Sequence, residues 1–340
     1  MSVEELRLDP GILAWAGRIE QHAEQLPALR SSDVALRRQA ARRLSDLLAE
    51  EFTEPAPPSV EITTSWIDGP AGPAGPLELR RYRPEGLPSP APTQLALHGG
   101  GFTSGTVHEL LNDRLLAARA LAAGIQVVAL GYRLAPEHPY PAAVDDTIHA
   151  LRVLTSEAGP SRFDVDPGRL GIAGNSAGGG IAASAVLHLR DSGDLPLVHQ
   201  ALEVPAVSLT PSGDSATRYA RGFGLDDAEA LVPLYLGGPR AADAYASPLE
   251  ADDLSDLPPT LIQVAEHDPL RDAGLAYGRR LVEAGVPTVT WIGRGHVHAS
   301  GGLTAVMAGA REWQAVQATA LREAYGTNPL VPEPIQPRRR

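Results

Sequence analysis

The sequence predicts an α/β protein in which a mostly parallel sheet is covered by helices on both faces. Short apolar runs typical of buried strands alternate with helical patterns along most of the chain. Reactive side chains also recur directly after those runs. Because reactive groups gather at the carboxyl ends of parallel strands, we expect these side chains to meet along one rim of the sheet.

Composition limits the classes of function. The chain has 340 residues and is 43% hydrophobic, which is enough for one large domain or two smaller ones. A net charge of −12 argues against nucleic acid and against anionic membranes as partners. Cysteine is absent, which excludes disulfides, thiolate metal sites and a cysteine nucleophile.

The sequence also carries no pattern of a membrane or export signal. No apolar run approaches the roughly 20 residues that a membrane-spanning helix needs. Residues 1–6 are acidic and lack the basic and then apolar pattern of a cleaved leader. We therefore expect no membrane span and a cytoplasmic location.

Residues 1 to about 50 are predicted to form two helices that precede the sheet. Ser31 or Ser32 would cap the second helix, because a side-chain oxygen can accept an unpaired backbone N–H. The spacing of their apolar residues is equally consistent with two roles: packing against the main core, or forming a lid over an active site. The apolar residues at helical spacing are Ile12, Trp15, Ala16, Ile19, Ala23 and Leu26, then Val34, Ala41, Leu44 and Leu48.

Strands are predicted to begin after the proline-rich segment 55–58. Turn residues separate the first strands and helices separate the later ones, which is typical of parallel pairing. The predicted strands are 60–67, 77–82, 94–98, 125–130, 170–173, 201–207, 260–265 and 289–292. The predicted helices between the later strands are 112–123, 144–156, 179–190 and 271–284.

The segment 174–178, Gly-Asn-Ser-Ala-Gly, matches G-x-S-x-G between a predicted strand and a predicted helix. A sharp strand-to-helix turn of this kind presents the serine hydroxyl, here that of Ser176, to a base. The flanking glycines remove side chains that would collide across so tight a turn. We therefore predict that Ser176 is a nucleophile.

A glycine-rich loop follows the predicted strand 94–98. Three successive glycines between His98 and Phe102 let backbone N–H groups point into a site without obstruction by side chains. The N–H groups of Gly100, Gly101 and Ala177 would then form an oxyanion hole, which stabilises the charge that develops on a substrate oxygen.

A serine nucleophile also needs a base and a carboxylate that orients the base. Asp268 is the first candidate carboxylate, and Asp272 and Glu266 compete with it near the end of the same strand. The base is either His296 or His298. The two histidines are two residues apart in a loop, so they cannot both face the serine.

Four segments of the chain resemble the hormone-sensitive-lipase family of α/β-hydrolase esterases, also called the bacterial family IV esterases. The second segment is long and is far more specific than a short motif. Together the segments lie between about residues 75 and 310 and so cover the hydrolase core. They are HGGGF at 98–102, YRLAPEHPYPAAVDD at 132–146, GNSAGG at 174–179 and EHDPLRD at 266–272.

The resemblance implies an α/β-hydrolase fold with a mostly parallel eight-stranded sheet and a helical cap. It implies that residues 1–55 belong to the cap, that 56–325 form the catalytic domain, and that 208–245 contribute to the cap. Residues 326–340 are expected to be a tail rich in proline and arginine.

For the site, the resemblance implies Ser176 as the nucleophile and Asp268 as the acid. The family's base lies in the motif Gly-x-x-His, which selects His298 and leaves His296 as a loop residue near the rim. No cofactor or metal is expected. A sequence resembling a zinc helix begins at His108 but lacks the second histidine.

These features predict a serine carboxylesterase that works through an acyl-enzyme intermediate, and the resemblance implies short- to medium-chain esters as substrates. The alternatives are an amidase or acyltransferase with the same three residues, or a receptor that binds a small ligand without catalysis. The receptors of this fold lose the catalytic histidine, whereas this chain keeps a candidate at 298. The expected partner is a small ester, and a homodimer is left open.

Two departures from the family pattern concern the substrate rather than the chemistry. Ala299 and Ser300 stand where Gly-Phe is usual, and Glu203 stands in a strand where an aliphatic residue is common. An unpaired buried carboxylate is costly. We therefore expect Glu203 to be partnered, protonated or exposed to solvent.

Overall fold

The structure is a computed structural model that describes residue 6 and residues 8–70, 75–193, 197–221, 228–239 and 243–330. Most of the predicted tail, residues 331–340, lies outside the described residues. So do residues 222–227 and 240–242, which belong to the segment expected to contribute to the cap.

The predicted eight-stranded, mostly parallel sheet is confirmed. Its order is β1-β2-β4-β3-β5-β6-β7-β8; the pairs β1/β2 and β2/β4 are antiparallel, and the other five are parallel. The central strand β3 is buried along its whole length, as expected for a strand covered on both faces. The strands are β1 Val60–Ile67, β2 Leu77–Pro84, β3 Ala91–Leu97, β4 Gln126–Gly131, β5 Val165–Asn175, β6 Gln200–Glu203, β7 Thr260–His267 and β8 Thr288–Val297.

Helices cover both faces of the sheet. Helices α4, α5 and α8 pack on one face, and α3 and α9 pack on the other. No described helix is both long enough and apolar enough to cross a membrane. The helices are α1 Pro10–Gln25, α2 Val34–Phe52, α3 Leu110–Ala123, α4 Ala142–Thr155, α5 Ala177–Ser192, α6 Gly213–Arg218, α7 Ala228–Leu236, α8 Arg271–Glu283 and α9 Ala308–Tyr325.

The strand β6 is shorter than the sequence predicts. The apolar run suggested a strand over 201–207, but the strand ends at Glu203. Val204 adopts a left-handed backbone conformation with φ +39°, which turns the chain. Pro205 follows, and it has no N–H to continue the ladder. The chain therefore leaves the sheet beside the start of α5.

The two predicted N-terminal helices are present as α1 and α2, and they pack on the loop that follows β8. Ile12 of α1 and Phe52 of α2 share an apolar cluster with Val297 and Leu303. The predicted cap of α2 is wrong. Asp33 caps the helix, because its carboxylate accepts the N–H groups of residues 35 and 36.

Candidate active site

Ser176 stands at the corner between β5 and α5. Its backbone has φ +54° and ψ −116°, a conformation that few non-glycine residues adopt. The N–H of Ser176 donates to the carbonyl of Glu203, 2.8 Å away on β6, which fixes the corner to the neighbouring strand. At Gly178 a Cβ atom would lie 2.4 Å from the carbonyl oxygen of Leu97. Only glycine therefore allows α5 to start so close to β3.

The structure brings Ser176, His298 and Asp268 into one hydrogen-bonded row. Nε2 of His298 lies 3.0 Å from Oγ of Ser176, and Nδ1 of His298 lies 2.8 Å from Oδ2 of Asp268. Asp268 is fully buried, and its Oδ1 accepts the N–H of Leu270. The carboxylate is thus held from one side by the backbone and faces the imidazole with its other oxygen.

The competing carboxylates lie elsewhere. Asp272 pairs with Arg271 at 2.8 Å and accepts the N–H of Ser215, which joins α8 to α6. Glu266 accepts the N–H of Gly295 at 2.8 Å, and that hydrogen bond lowers the pKa of the Glu266 carboxyl. Neither carboxylate makes a hydrogen bond to His298 in the described part of the chain.

His296 is buried rather than placed near the rim, so that expectation was wrong. Its Nδ1 lies 2.8 Å from Oγ of Ser300, which also accepts the N–H of Val297 at 3.1 Å. Burial lowers the pKa of the His296 imidazole. Between these contacts Ala299 has φ +66°. His296 and Ser300 therefore hold the two ends of the short turn that carries His298.

The predicted oxyanion-hole residues lie beside Ser176. Gly100 has φ +124° and Gly101 has φ +59°, conformations that favour glycine. The carbonyl of Gly100 accepts the N–H groups of Thr103 and Ser104, which folds the loop back on itself. The N–H groups of Gly100, Gly101 and Ala177 donate to no acceptor among the described residues. All three donors are therefore available to a ligand.

His98 anchors this glycine loop. Its ring stacks on Tyr132 with centroids 4.3 Å apart, and its Nδ1 donates to the carbonyl of Gly99 at 2.7 Å. The Tyr132 hydroxyl donates to the carbonyl of His98 at 2.7 Å. Burial lowers the pKa of His98 to about 4, so the ring is neutral near pH 7.

Two cavities meet at Ser176. The α3 cavity, of about 460 Å³, runs along helix α3 and is lined by Leu111, Leu115, Leu116, Arg119, Glu203 and Trp313 among others. The α6–α7 cavity, of about 420 Å³, is lined by Ala206, Leu209, Ala216, Leu231, Leu270 and Ala273 among others. Leu231 lines both cavities, and its Cδ1 would lie 2.4 Å from a Cβ atom at Gly101.

Glu203 was expected to be partnered, protonated or exposed to solvent, and the structure shows that it is partnered. Its Oε1 accepts from Arg119 Nη2 at 2.7 Å and from Gln317 Nε2 at 3.0 Å, and its Oε2 accepts from Trp313 Nε1 at 2.9 Å. We call these four residues the Glu203 cluster. Sequence reasoning singled out Glu203 but missed its three partners, for which the sequence carries no local signal.

The structure also bears on metal binding. Among the described residues, no group of three or more histidine, aspartate or glutamate side chains is arranged to hold a metal ion. His108, where the zinc-like pattern begins, has its Nε2 2.6 Å from Oε1 of Glu78.

Comparisons with known proteins agree with this geometry. Residues 94–300 match the family model described as alpha/beta hydrolase fold. Esterase LipI of Mycobacterium tuberculosis is 38% identical over 277 residues, covering 80% of this chain and 83% of that protein. An esterase of Pyrobaculum calidifontis superposes with a TM-score of 0.79 at 32% identity, covering 93% of this chain and 98% of the other. An esterase of the bacterial hormone-sensitive lipase family superposes with a TM-score of 0.78 at 28% identity, covering 94% and 100%.

The chain belongs to the alpha/beta hydrolase fold family. Within that family it is a carboxylic ester hydrolase, and the predicted resemblance to the hormone-sensitive-lipase esterases is confirmed.

Proposed function

We propose that Ser176, His298 and Asp268 form the catalytic triad of this ester hydrolase. The observation that carries the proposal is the unbroken row of hydrogen bonds from the Ser176 hydroxyl through the imidazole to the buried Asp268 carboxylate. In this arrangement the carboxylate selects the tautomer in which Nδ1 carries the proton. Nε2 is then free to accept the serine proton.

The reaction proceeds in two halves. Nε2 of His298 takes the hydroxyl proton of Ser176 as Oγ attacks the ester carbonyl carbon. The resulting imidazolium then protonates the leaving alkoxide, and alcohol departs from an acyl-enzyme. In the second half His298 removes a proton from water, whose oxygen attacks the acyl carbon. The acid leaves and Ser176 regains its proton.

Gly100, Gly101 and Ala177 are proposed as the oxyanion hole for both tetrahedral intermediates. Their N–H groups are unpaired among the described residues and adjoin Ser176. Donors fixed in advance stabilise the developing negative charge without reorganisation during the reaction. One such donor is typically worth about 3–4 kcal/mol of transition-state stabilisation.

Short- to medium-chain esters are the proposed substrates. The two cavities at Ser176, of about 460 and 420 Å³, are in the range of sites for small molecules. Each half of an ester would occupy one cavity, with Leu231 between them.

The cap is proposed to comprise α1 and α2 together with α6 and α7. Arg38 of α2 donates from Nε to the carbonyl of Thr103 at 2.7 Å and so contacts the loop that holds Gly100 and Gly101. From the other side, Leu231 of α7 covers Gly101. Both helical segments therefore contact the proposed oxyanion loop.

A panel of nitrophenyl esters of increasing acyl length tests the proposed chemistry and chain length together. We expect turnover of the shorter esters to fall by about 10⁴-fold or more in Ser176→Ala. Ser65→Ala, on the distant strand β1, is the matched control and should keep wild-type rates. Full activity of Ser176→Ala would overturn the triad.

An amidase or acyltransferase with the same triad would differ only in its leaving group or acceptor. Matched ester and amide substrates, with and without added alcohol, separate these activities. We expect ester hydrolysis to be fastest. A receptor would give no turnover with any of them, although the ligand would bind.

A homodimer paired through β8 is proposed as the assembly. Strand β8 lies at one edge of the sheet, with Val289 60% exposed, and Val282 on the adjacent α8 is 58% exposed. Light scattering after size exclusion should show a dimer that Val289→Arg dissociates, whereas Trp66→Arg on the opposite edge strand should not. A wild-type monomer would contradict this assembly.

The cytoplasmic location and the lack of a nucleic-acid partner stay predictions. Cell fractionation tests the location, and a gel-shift assay tests for binding of nucleic acid.

A further inference from the structure

The α3 cavity has both the proposed reacting groups and a buried polar cluster in its wall. Ser176 and His298 line it, and so do Arg119 and Glu203 of the Glu203 cluster. Three alanines side by side on neighbouring strands form its floor and leave the space open: Ala96, Ala129 and Ala173. A chain of substrate atoms that starts at the reacting carbonyl would therefore meet a guanidinium and a carboxylate.

The Glu203 cluster is not saturated with hydrogen bonds. Arg119 is only 7% exposed and uses Nη2 to bind Glu203, but its Nε has no hydrogen-bond acceptor among the described residues. A buried N–H without an acceptor costs free energy, so such groups usually have a partner. The unpaired donor belongs to a side chain that lines a cavity continuous with the nucleophile.

The cluster is also tied directly to the nucleophile. Glu203 accepts the N–H of Ser176 through its backbone carbonyl and binds Arg119 through its side chain. In the parallel register, Asn175 and Glu203 are paired, so the side chains of both residues lie on the same face of the sheet. The Glu203 cluster is therefore a built part of the site and not a distant surface feature.

We propose that the α3 cavity is a subsite for esters that carry a neutral hydrogen-bond-accepting oxygen, such as a ketone, remote from the reacting carbonyl. This inference rests on the proposed function of Ser176. The guanidinium of Arg119, which lines the cavity, would donate to the ketone oxygen, and the cavity walls would enclose the intervening methylene groups.

The charge of the cluster distinguishes among substituents. A methylene group accepts no hydrogen bond from the guanidinium. A carboxylate is attracted by Arg119 but repelled by Glu203 beside it, because the pair is neutral overall and has an acidic member. A ketone accepts the hydrogen bond without adding charge. The expected order is therefore ketone first, then the plain chain, with the carboxylate last.

The test compares kcat/KM for nitrophenyl oxoalkanoates with that for the plain alkanoates of equal length. A second pair carries the ketone in the alcohol part of an acetate ester, which identifies the half of the ester that enters the cavity. We expect the wild-type enzyme to favour the ketone by about tenfold or more in one of the two pairs. A ketone-to-plain ratio of kcat/KM near one in both pairs would show that the cluster only stabilises the fold, and would overturn the proposal.

The double variant Arg119→Met with Glu203→Gln removes the donor without leaving a buried charge unpaired. We expect the ketone-to-plain ratio to fall to about one, whereas the matched control Arg322→Met, on α9 outside the cavity, keeps the wild-type ratio. An unchanged ratio in the double variant would overturn the subsite. If the double variant does not fold, Arg119→Leu with Glu203→Leu replaces it, because this apolar pair removes the guanidinium donors and leaves no buried charge unpaired.

These outcomes separate the two proposals. Loss of the subsite changes the ratio while Ser176 still hydrolyses plain esters. An error in the proposed function would instead leave Ser176→Ala active on plain esters.

Discussion

At the scale of single residues, backbone strain coincides with the groups proposed to react. Ser176 and Ala299 are non-glycine residues with positive φ; Ser176 is the proposed nucleophile, and Ala299 directly follows His298, the proposed base. Strain of this kind persists only where the surroundings hold it in place. Here the Ser176 corner is held by Glu203, and the turn at Ala299 is held by the hydrogen bond between His296 and Ser300.

The two loop histidines are expected to respond differently to substitution. His298→Ala should lower kcat by about 10⁴-fold or more, because Ser176 loses its base. His296→Ala should mainly lower the free energy of unfolding, since His296 is buried and touches Ser300 rather than Ser176. Ester kinetics and chemical unfolding of both variants check this. A His298→Ala variant with wild-type kcat would contradict the assignment of the base.

Ala299→Gly should raise the free energy of unfolding by about 0.5–1 kcal/mol. Glycine relieves the left-handed strain, and this gain exceeds the added entropy of the unfolded chain. The side chain of Ala299 is exposed, so little burial is lost. Ala315→Gly, at an exposed position in α9, is the control and should lower stability by about 1 kcal/mol. Denaturant unfolding measures both, and a loss of stability in Ala299→Gly would contradict the argument.

Some site residues could be predicted from the sequence and some could not. Ser176 and the glycine loop lie in compact motifs whose geometry is local. The partners of Glu203 are 84, 110 and 114 residues away from it, and no local pattern predicts which of many buried side chains meet. The choice of His298 over His296 needed the family resemblance, because spacing alone left both open.

At the scale of elements, the start of helix α8 contacts both the candidate site and α6 of the proposed cap. Asp268 lies just before its first turn and accepts the N–H of Leu270. Asp272 lies within the first turn and holds α6 through Ser215. One helix start therefore positions the proposed triad acid and the wall of the α6–α7 cavity.

Asn substitutions separate these two roles. Asp268→Asn should lower kcat by about 10⁴-fold, because the amide no longer favours the required tautomer of His298. Asp272→Asn should lower kcat by less than about tenfold and destabilise the chain by about 1 kcal/mol through the weakened link to α6. Steady-state kinetics and thermal unfolding measure both effects. Equal losses of kcat would argue against Asp268 as the triad acid.

The elements themselves could mostly be predicted from the sequence, but their ends could not. Alternation of apolar runs with helical patterns predicted all eight strands. The end of β6 depends on Val204 and Pro205, and the cap of α2 depends on which of three neighbouring polar residues reaches the helix N–H groups. These outcomes follow from backbone angles that composition does not specify.

At the scale of the whole molecule, buried neutral histidines link stability to pH. Burial lowers the pKa of His98 and of His199 to about 4 from 6.5. The unfolded chain therefore takes up protons below about pH 6.5 that the folded chain does not. The contribution of these histidines to the free energy of unfolding is fully present above about pH 6.5. It is lost as the pH falls toward 4, by about 3 kcal/mol for each histidine.

His199→Gln should reduce the loss of stability between pH 7.5 and pH 5 by about 2 kcal/mol. Glutamine does not titrate, so the contribution of His199 is lost while those of His98 and of the other buried histidines remain. His199 lies far enough from Ser176 in the sheet register to leave the site intact. Free energies of unfolding in urea at pH 7.5 and pH 5 measure the difference. A wild-type stability that is the same at both pH values would contradict the argument.

The Glu203 cluster has a consequence for how this protein can change over generations. The Glu203 carboxylate joins three helix residues to the strand that contacts Ser176. If Glu203 alone were replaced by an apolar residue, its partners would be left as a buried charge and buried donors without an acceptor. Substitutions at 203 and 119 should therefore be inherited together. A lineage that exchanges both residues for apolar ones should lose the proposed preference for ketone-bearing esters and keep the proposed chemistry at Ser176.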